Sequence, residues 1–491
     1  MPVNTEAFSG QIRNFANIGV RVRLPRRSIR GIREDFRLAL ISAFGIRAYA
    51  PTLRVMSSEV RQTSGQVANV PQEVTGQSRR VIVGKVTWRD TFAALKHRNF
   101  RLFFAGQLIS LIGSWMQITA QGWLVYRMTG SKVLLGTVAA VGSLPMLLLS
   151  VWGGSVADRH SKRIVVCFTQ TGMMMLAFVY AALVGTHRIE TWHILVIAAL
   201  GGVALAFDMP ARQAFMVEMT SREDLMNAVS LNSSIVNAAR VVGPAAAGLL
   251  MAQIGMFWCF LVNGLSFIAV LAGLMMMRLP KFVSPAQPHS TSRHVIEGFR
   301  YVMTHRRVRI LLILFGVVGI FGWSYSVLLP AYATDILHVG ERGYGALLSA
   351  NGLGALLGAL TVATFGSRIR PRLLVLGGLW LFSAMLLLIA FVRWFPLVLA
   401  CLAVGGWGML LYFSTTNTLI QTSVSDEMRG RVMGIWALVF GGMTPIGGLE
   451  CGFLSHAVGV PGTIAVGAIV CAAAAFVTLW TVRRNPPSTT E

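Results

Sequence analysis

Four ionisable side chains stand inside stretches that are otherwise apolar: Asp208, Arg212, Arg240 and Glu450. A carboxyl group held away from water can take up and release a proton near neutral pH. Asp208 and Glu450 are therefore candidates for moving protons, with Arg212 and Arg240 as their cationic counterparts. Asp208 and Arg212 are four residues apart, the spacing of a pair on one helix face. Polar groups recur nearby at helical spacing. Gln107, Ser110, Ser114, Gln117 and Gln121 follow one another at intervals of 3, 4, 3 and 4, and Asn227, Ser230, Ser234, Asn237 and Arg240 at 3, 4, 3 and 3. Each set lies along one helix face. Aromatic and hydroxyl groups cluster at Trp323-Ser-Tyr325-Ser326 and between Trp407 and Asn417. Such walls suit a bulky amphipathic solute, although each polar residue could equally join neighbouring helices. Nothing points to covalent catalysis. There is no G-x-x-x-x-G-K-[ST], no H-E-x-x-H and no paired nucleophile and base, so an enzyme is not expected, nor a cofactor or a bound metal.

The elements that must carry these residues are membrane helices. The chain has 491 residues, of which 54% are hydrophobic and 13% charged, with a mean hydropathy of +0.63. A soluble domain carries about 25% charged residues. Apolar segments fall at 102–125, 133–156, 164–184, 194–216, 227–251, 256–277, 309–333, 343–366, 373–392, 396–420, 432–454 and 461–481. Each is close to the ~20 residues that cross a bilayer. The expected fold is an all-α polytopic protein of about 12 transmembrane helices. Five cysteines (Cys167, Cys259, Cys401, Cys451, Cys471) all lie in these segments, and their spacing suggests neither disulfides nor a thiolate site.

The net charge of +24 raises the question of nucleic acid, but the cations are confined to short loops and the N-terminal stretch. Alternate linkers hold most of them, among them Arg159, Lys162, Arg163, Arg278, Arg368, Arg372 and Arg431. That bias places both termini in the cytoplasm. The same cations would meet anionic lipid headgroups. Arg240 falls near mid-membrane, where an arginine costs roughly 2.5–3.5 kcal/mol to insert. It should face the bundle interior with a partner; Asp208, Glu450 and helix-end carbonyls are the possible ones. A purely structural arginine joining helices is the alternative.

The chain also echoes itself. A shift of 209 carries Arg159 and Arg163 onto Arg368 and Arg372, and a shift of 204 carries Gly243 and Gly248 onto Gly447 and Gly452. The expected organisation is a basic, disordered extension over 1–95, six helices over 96–278, a cytoplasmic linker over 279–308, six more helices over 309–482 and a tail over 483–491. Residues 1–85 hold 13 Arg against 5 acids and no bilayer-length segment. They read as a tail on lipid, an Arg-rich targeting segment, or sequence upstream of a start at Met56.

Several motifs sharpen this picture. Gly154-Ser-Val-Ala-Asp158-Arg159-His-Ser161-Lys162-Arg163 resembles the loop between helices two and three of the major facilitator superfamily, G-x-x-x-D-R-x-G-R-K, with Ser161 in place of the second glycine. Gly243-Pro244 with Gly248 resembles the Gly-Pro element in helix five of the superfamily's drug exporters. Pro210-Ala-Arg212-Gln213, Asn237 to Pro244 and the Asn263 region are similar to the branch of enterobactin exporters and related multidrug efflux proteins. The resemblance spans about residues 95–482. It implies two pseudo-symmetric six-helix bundles that rock about a central site. It also implies a latch at Gly154, Asp158, Arg159 and Arg163, and export of a siderophore or drug in exchange for protons by a monomer in the bacterial inner membrane. In that fold the first, fourth, seventh and tenth helices line the cavity. Gln107, Ser114, Gln117, Gln121, Asn237, Trp323, Tyr325, Trp407 and Asn417 are then the cavity candidates. A proton-coupled importer and a non-transporting receptor or scaffold are the competing readings.

Overall fold

The computed structural model describes residues 92–279 and 291–484. Most of the expected N-terminal extension, the start of the linker and the end of the C-terminal tail lie outside the described residues. All regular secondary structure in the described part is helical. The first half contains α1 (Arg98–Thr129), α2 (Lys132–Arg159), α3 (Lys162–Gly185), α4 (Thr191–Met219), α5 (Leu225–Gln253) and α6 (Met256–Met276). A linker helix, Thr291–Thr304, precedes α7 (Arg306–Ile336), α8 (Glu341–Phe365), α9 (Pro371–Phe391) and α10 (Phe395–Thr422). A last stretch, Asp426–Arg484, is interrupted at Gly459, giving α11 (426–458) and α12 (460–484). Eleven of the described helical stretches are long and apolar enough to cross a bilayer, and the last holds two segments. Large apolar side chains such as Phe168, Met275 and Phe391 stand exposed on the outer surface, as lipid-facing helices require.

The helix ends follow from local chemistry. Gly130 closes α1 in the left-handed conformation, and the Ser131 hydroxyl caps α2 by accepting from the Leu134 N–H. Two other turns are conformational copies. Gly255, between α5 and α6, has φ 98° and ψ 166°, and Gly459, between α11 and α12, has φ 76° and ψ 167°. A side chain there would be strained, and the two glycines are 204 residues apart, the same shift that relates the helices before them.

Across the middle, α5 packs on α8, and α2 packs on the Asp426–Arg484 stretch through α11. Glycine makes these crossings possible. A Cβ on Gly248 would come within 2.8 Å of the Glu341 carbonyl oxygen in α8, and one on Gly452 within 3.2 Å of the Lys132 carbonyl oxygen in α2. A Cβ on Gly243 would meet the Ile112 carbonyl of α1 at 2.9 Å, and one on Gly447 the Ile320 carbonyl of α7 at 2.6 Å. Each pair of contacts maps onto the other through the twofold relation of the halves.

The α2–α11 interface is a wedge. Near one end a Cβ on Gly448 would be 3.0 Å from the Gly136 carbonyl oxygen. Further along, Gly441 is 3.7 Å from Leu147, and Gly434, Gly430 and Gly154 have nothing within 4 Å. The closed end carries the α1–α2 and α7–α8 turns; the open end carries the α2–α3 loop.

Among the described membrane-spanning helices, α7 is the one built from π and 3₁₀ turns. Val318–Trp323 and Tyr332–Ile336 form π turns, and Ser324–Leu328 a 3₁₀ turn. Pro330 supplies no N–H and disturbs the hydrogen-bond ladder beside it. Such irregular turns are frequent at functional sites.

Candidate functional site: a divided central cavity

Two adjoining chambers occupy the interior and share Trp115, Ile118 and Gln121. The larger, about 550 Å³, lies within the first half. The smaller, about 330 Å³, lies between the halves.

The inter-half chamber is lined mainly by Trp115, Trp323, Tyr325, Phe382, Met409 and Phe413, with Arg240 as its one ionisable cation and no acid. Regular α5 geometry brings Arg240 here from the first half, and the irregular turns of α7 bring Trp323 and Tyr325 from the second. The guanidinium carbon of Arg240 is 5.4 Å from the centre of Trp115 and 5.0 Å from that of Trp323. Each ring contributes about 0.5–2 kcal/mol, so together they offset much of the ~2.5–3.5 kcal/mol insertion cost. The partners expected from sequence are replaced: among the described residues Arg240 pairs with neither Asp208 nor Glu450, and no helix-end carbonyl accepts from it. Asn351 donates to the Tyr325 hydroxyl at 2.6 Å and adds a polar edge beside the cation.

The first-half chamber is polar. Gln107, Ser110, Ser114, Gln117 and Gln121 of α1 line it, together with Gln170, Tyr180, Arg212 and Asn263. Asn263 donates to Gln117 at 2.7 Å. Three buried atoms of residues in its wall have no hydrogen-bond partner among the described residues: Gln107 Oε1, Gln170 Oε1 and the Tyr180 hydroxyl. Their residues are 2%, 1% and 0% exposed. A buried acceptor or hydroxyl left unpaired costs about 1–3 kcal/mol, so these three atoms are a local cost in the packing of the wall.

Asp208 is 0% exposed and saturated. It accepts from Thr169 and Gln170, each at 2.9 Å, and pairs with Arg212. Glu450 lines neither chamber. Its carboxyl has no hydrogen-bond or ion-pair partner among the described residues, and its helix face is shared with the exposed Ile446, Leu449 and Phe453.

Thus Gln107, Ser114, Gln117 and Gln121 reach the polar chamber, and Gln121, Trp323, Tyr325 and Arg240 the aromatic one. Asn237, Trp407 and Asn417 line neither. The α5 stripe is satisfied locally: Ser230, Ser234 and Asn237 donate to carbonyls one turn back. Trp407 donates to Thr361 on α8 at 3.0 Å, and Asn417 accepts from Gln421. Gly243, Pro244 and Gly248 serve the helix crossings, with Pro244 also at the chamber wall. Sequence reasoning missed Trp115, Gln170, Tyr180 and Asn351. Gln170 and Asn351 were detectable as amides deep inside apolar spans.

At the closed end the halves are bridged. Tyr126 donates to Asp335 at 2.5 Å, Lys132 stands 3.7 Å from Asp335, Arg127 pairs with Glu341 at 2.6 Å, and Trp123 donates to Glu341 at 3.2 Å. At the open end Asp158 is exposed, and among the described residues it has no partner. The expected pairing with Arg159 or Arg163 is absent, since Arg163 donates instead to the Met275 carbonyl at 2.9 Å and the Met277 carbonyl at 3.4 Å. Lys162 pairs with Glu218 at 2.8 Å. Beside this end the turn at Ala93–Lys96 is clamped to α5. Asn227 accepts from the Ala94 N–H, and Asp224 binds Lys96 and His97, each at 2.7 Å. Hydrogen bonds from Lys96 and His97 hold the Asp224 carboxyl down at about 2. Ser221 bonds to Asp224 rather than capping α5 directly.

A family model described as "Transmembrane secretion effector" matches residues 89–488. The chain is similar to the staphyloferrin A transporter of Staphylococcus aureus, 26% identical over 369 residues, covering 74% of this chain and 92% of that one. It is 28% identical to the multidrug efflux pump Tap of Mycolicibacterium fortuitum (72% and 88% covered), and 28% to the enterobactin exporter EntS of Escherichia coli (72% and 85%). Among solved structures, the nucleoside transporter NupG superposes with a TM-score of 0.63 at 14% identity, over 79% of this chain and 99% of that one. A bacterial homologue of the lysosomal transporter Spinster, inward-facing and unoccupied, gives 0.64 at 13%, over 80% and 99%. At such low identity these two speak for the fold alone.

Proposed function

The chain belongs to the transmembrane secretion effector family of the major facilitator superfamily, and from that membership we propose that it expels an amphipathic small molecule in exchange for protons. The observation that carries this reading is the cavity itself: polar and aromatic walls drawn from both halves, closed at one end and widening toward the other. The loop-charge bias puts the open end, with Asp158, Arg159, Lys162 and Arg163, in the cytoplasm of a bacterial cell. The described state is then inward-facing and ready to load. The names of the relatives, two of them siderophore transporters and one a multidrug pump, support a siderophore-like or drug-like solute.

In this reading the solute enters between the halves and seats against Trp115, Trp323 and Arg240. Rocking of the halves breaks the Asp335 and Glu341 bridges and closes the wedge. Asp158 then gains partners across the closed end, which explains why it has none while that end is open. Of the two acids proposed to carry protons, Glu450 is the free one. Asp208 is already occupied by three donors, so we assign Asp208 and Arg212 to holding α3 and α4 around the polar chamber. One proton moving down 100 mV supplies about 2.3 kcal/mol, enough to bias the exchange of states.

Inverted membrane vesicles energised by respiration test this directly, with uptake into the vesicles reporting export. Uptake of a catecholate siderophore or a common antibiotic that collapses with a protonophore supports exchange, and its persistence refutes it. Glu450→Gln should abolish the dependence on the gradient while leaving solute binding intact.

A further inference from the structure

We infer that the solute seated in the inter-half chamber is an organic anion with a flat apolar body, its acidic group received by Arg240. This deepens the exporter reading and rests on it for the direction of travel, though not for binding.

The argument is one of charge and unmet valence. The lining of the inter-half chamber contains no aspartate or glutamate. The polar chamber contains none either, and its Arg212 is already paired with Asp208. Arg240 therefore leaves the inter-half chamber with one uncompensated positive charge. A guanidinium carries five N–H donors in one plane. The flanking rings of Trp115 and Trp323 attract the cation electrostatically but supply no anion. Among the described residues no oxygen accepts from Arg240, so those donors await an acceptor. A carboxylate matches the guanidinium fork in two parallel bonds.

The rest of the lining defines the body that carries the acid. Phe382, Met409 and Phe413 add apolar surface to the same chamber, with Phe413 next to Trp323. A volume of about 330 Å³ sits at the small end of ligand pockets, room for a fused bicyclic ring but not for a large macrocycle in this chamber alone. A lipophilic cation of the same size would meet Arg240 with like charge and leave its donors unpaired. Trp115, Ile118 and Gln121 also border the polar chamber of the first half.

Two matched probes test the inference on the full chain purified in detergent: 2-naphthoate and 2-naphthylmethylammonium, with binding followed by tryptophan fluorescence and calorimetry. The wild type should bind the anion at least tenfold more tightly. Arg240→Gln should erase that preference, and Arg240→Lys should retain it because the charge stays. Equal or tighter binding of the cation by the wild type overturns the inference, and this arm needs no variant to fold. So does an unchanged preference in Arg240→Gln, or sodium chloride displacing the naphthoate at equal concentration, since chloride makes no use of the aromatic wall. The outcomes separate the two readings. A protein that exports but favours cations refutes the anion site alone, and one that favours anions but moves nothing across vesicles refutes the exporter alone.

Discussion

The bridges at the closed end give the sharpest test of how the halves are held. Tyr126 and Lys132 from the first half meet Asp335 from the second, and Arg127 and Trp123 meet Glu341. All four contacts cross between halves, so they exist only while this end is shut. The contributions are unequal. Arg127 is 64% exposed and Lys132 stands 3.7 Å from its acid, and exposed ion pairs of this kind contribute only about 0.2–1 kcal/mol. The Tyr126 hydroxyl, on a buried residue and 2.5 Å from a charged acceptor, belongs to the class contributing about 1.5–3 kcal/mol. Because the Asp335 side chain is 34% exposed, the lower end applies. Removing this bond should shift the ratio of closed to open states by about tenfold, since ~1.4 kcal/mol is one power of ten.

Asp335→Asn is the perturbation, with Tyr126→Phe as its counterpart. Spin labels at His160 and Glu427, at the opposite end, report opening and closing by pulsed dipolar spectroscopy without touching the bridge; Cys167 is first replaced by Ser. Each variant should move population from the separated to the approached distance. The double variant should add little to Asp335→Asn, because both remove one bond. Unchanged distance distributions in both single variants would refute the claim that Asp335 holds this end shut. Fully additive shifts would refute the assignment to a single Tyr126–Asp335 bond.

Four further outcomes follow from particular contacts. Gly345→Val should lower the melting temperature in detergent, corresponding to about 1–3 kcal/mol, because its Cβ would meet the Pro244 carbonyl oxygen at 2.5 Å and the Gly248 Cα at 2.9 Å; Gly154→Ala, with nothing within 4 Å, should leave it unchanged. Asp208→Ala strands the Arg212 charge and should cost about 3–5 kcal/mol, whereas Asp208→Asn combined with Arg212→Gln should recover most of it by thermal unfolding. Gln107→Leu should barely alter stability, since Gln107 Oε1 has no bond to lose. The Asp224 clamp has a defined pH window: a carboxyl lowered to about 2 stabilises fully above the ordinary ~3.9 and loses its effect only as pH falls toward 2. The effect of Asp224→Asn on the melting temperature should therefore shrink as pH falls from about 4 toward 2.

The fold was readable because the bilayer permits so few solutions. Twelve apolar runs, a basic linker and glycines repeating at a shift of 204 leave little besides paired six-helix halves. Gly248 and Gly452, related by that shift, sit at equivalent crossings. The site was only half readable. Helical spacing put Gln107, Ser114, Gln117 and Gln121 on one face, and that face does line a chamber. The same reasoning failed for Ser230, Ser234 and Asn237, because a side chain that can donate to its own helix one turn back needs no cavity. It failed for the Arg240 partner because sequence suggests opposite charges, while the observed partners are two indole rings from different halves. The disturbed geometry of α7 left no mark beyond Pro330.

The distribution of contacts also says how such a molecule can change state at low cost. Helices in lipid gain nothing by hiding apolar surface from one another, since the tails are as apolar as leucine; close packing and hydrogen bonds hold them. Here the close packing between halves is concentrated at the glycines of the closed end, at Gly136, Gly248, Gly345, Gly448 and Gly452, and thins along α2 and α11 until Gly434 and Gly154 meet nothing. Between α2 and α11 only one end is therefore tightly packed, while along α5 and α8 the packing continues inward, where a Cβ on Gly352 would come within 2.7 Å of the Arg240 carbonyl oxygen. In the proposed exporter, rocking would trade the packing at one end for packing at the other, and lipid imposes no hydrophobic penalty for the gap. The states would then differ in polar contacts: the Asp335 and Glu341 bridges in this one, and on the same proposal partners for the exposed Asp158 in the other. Differences of only a few kcal/mol then decide the population, small enough for a bound solute or a single proton to reverse.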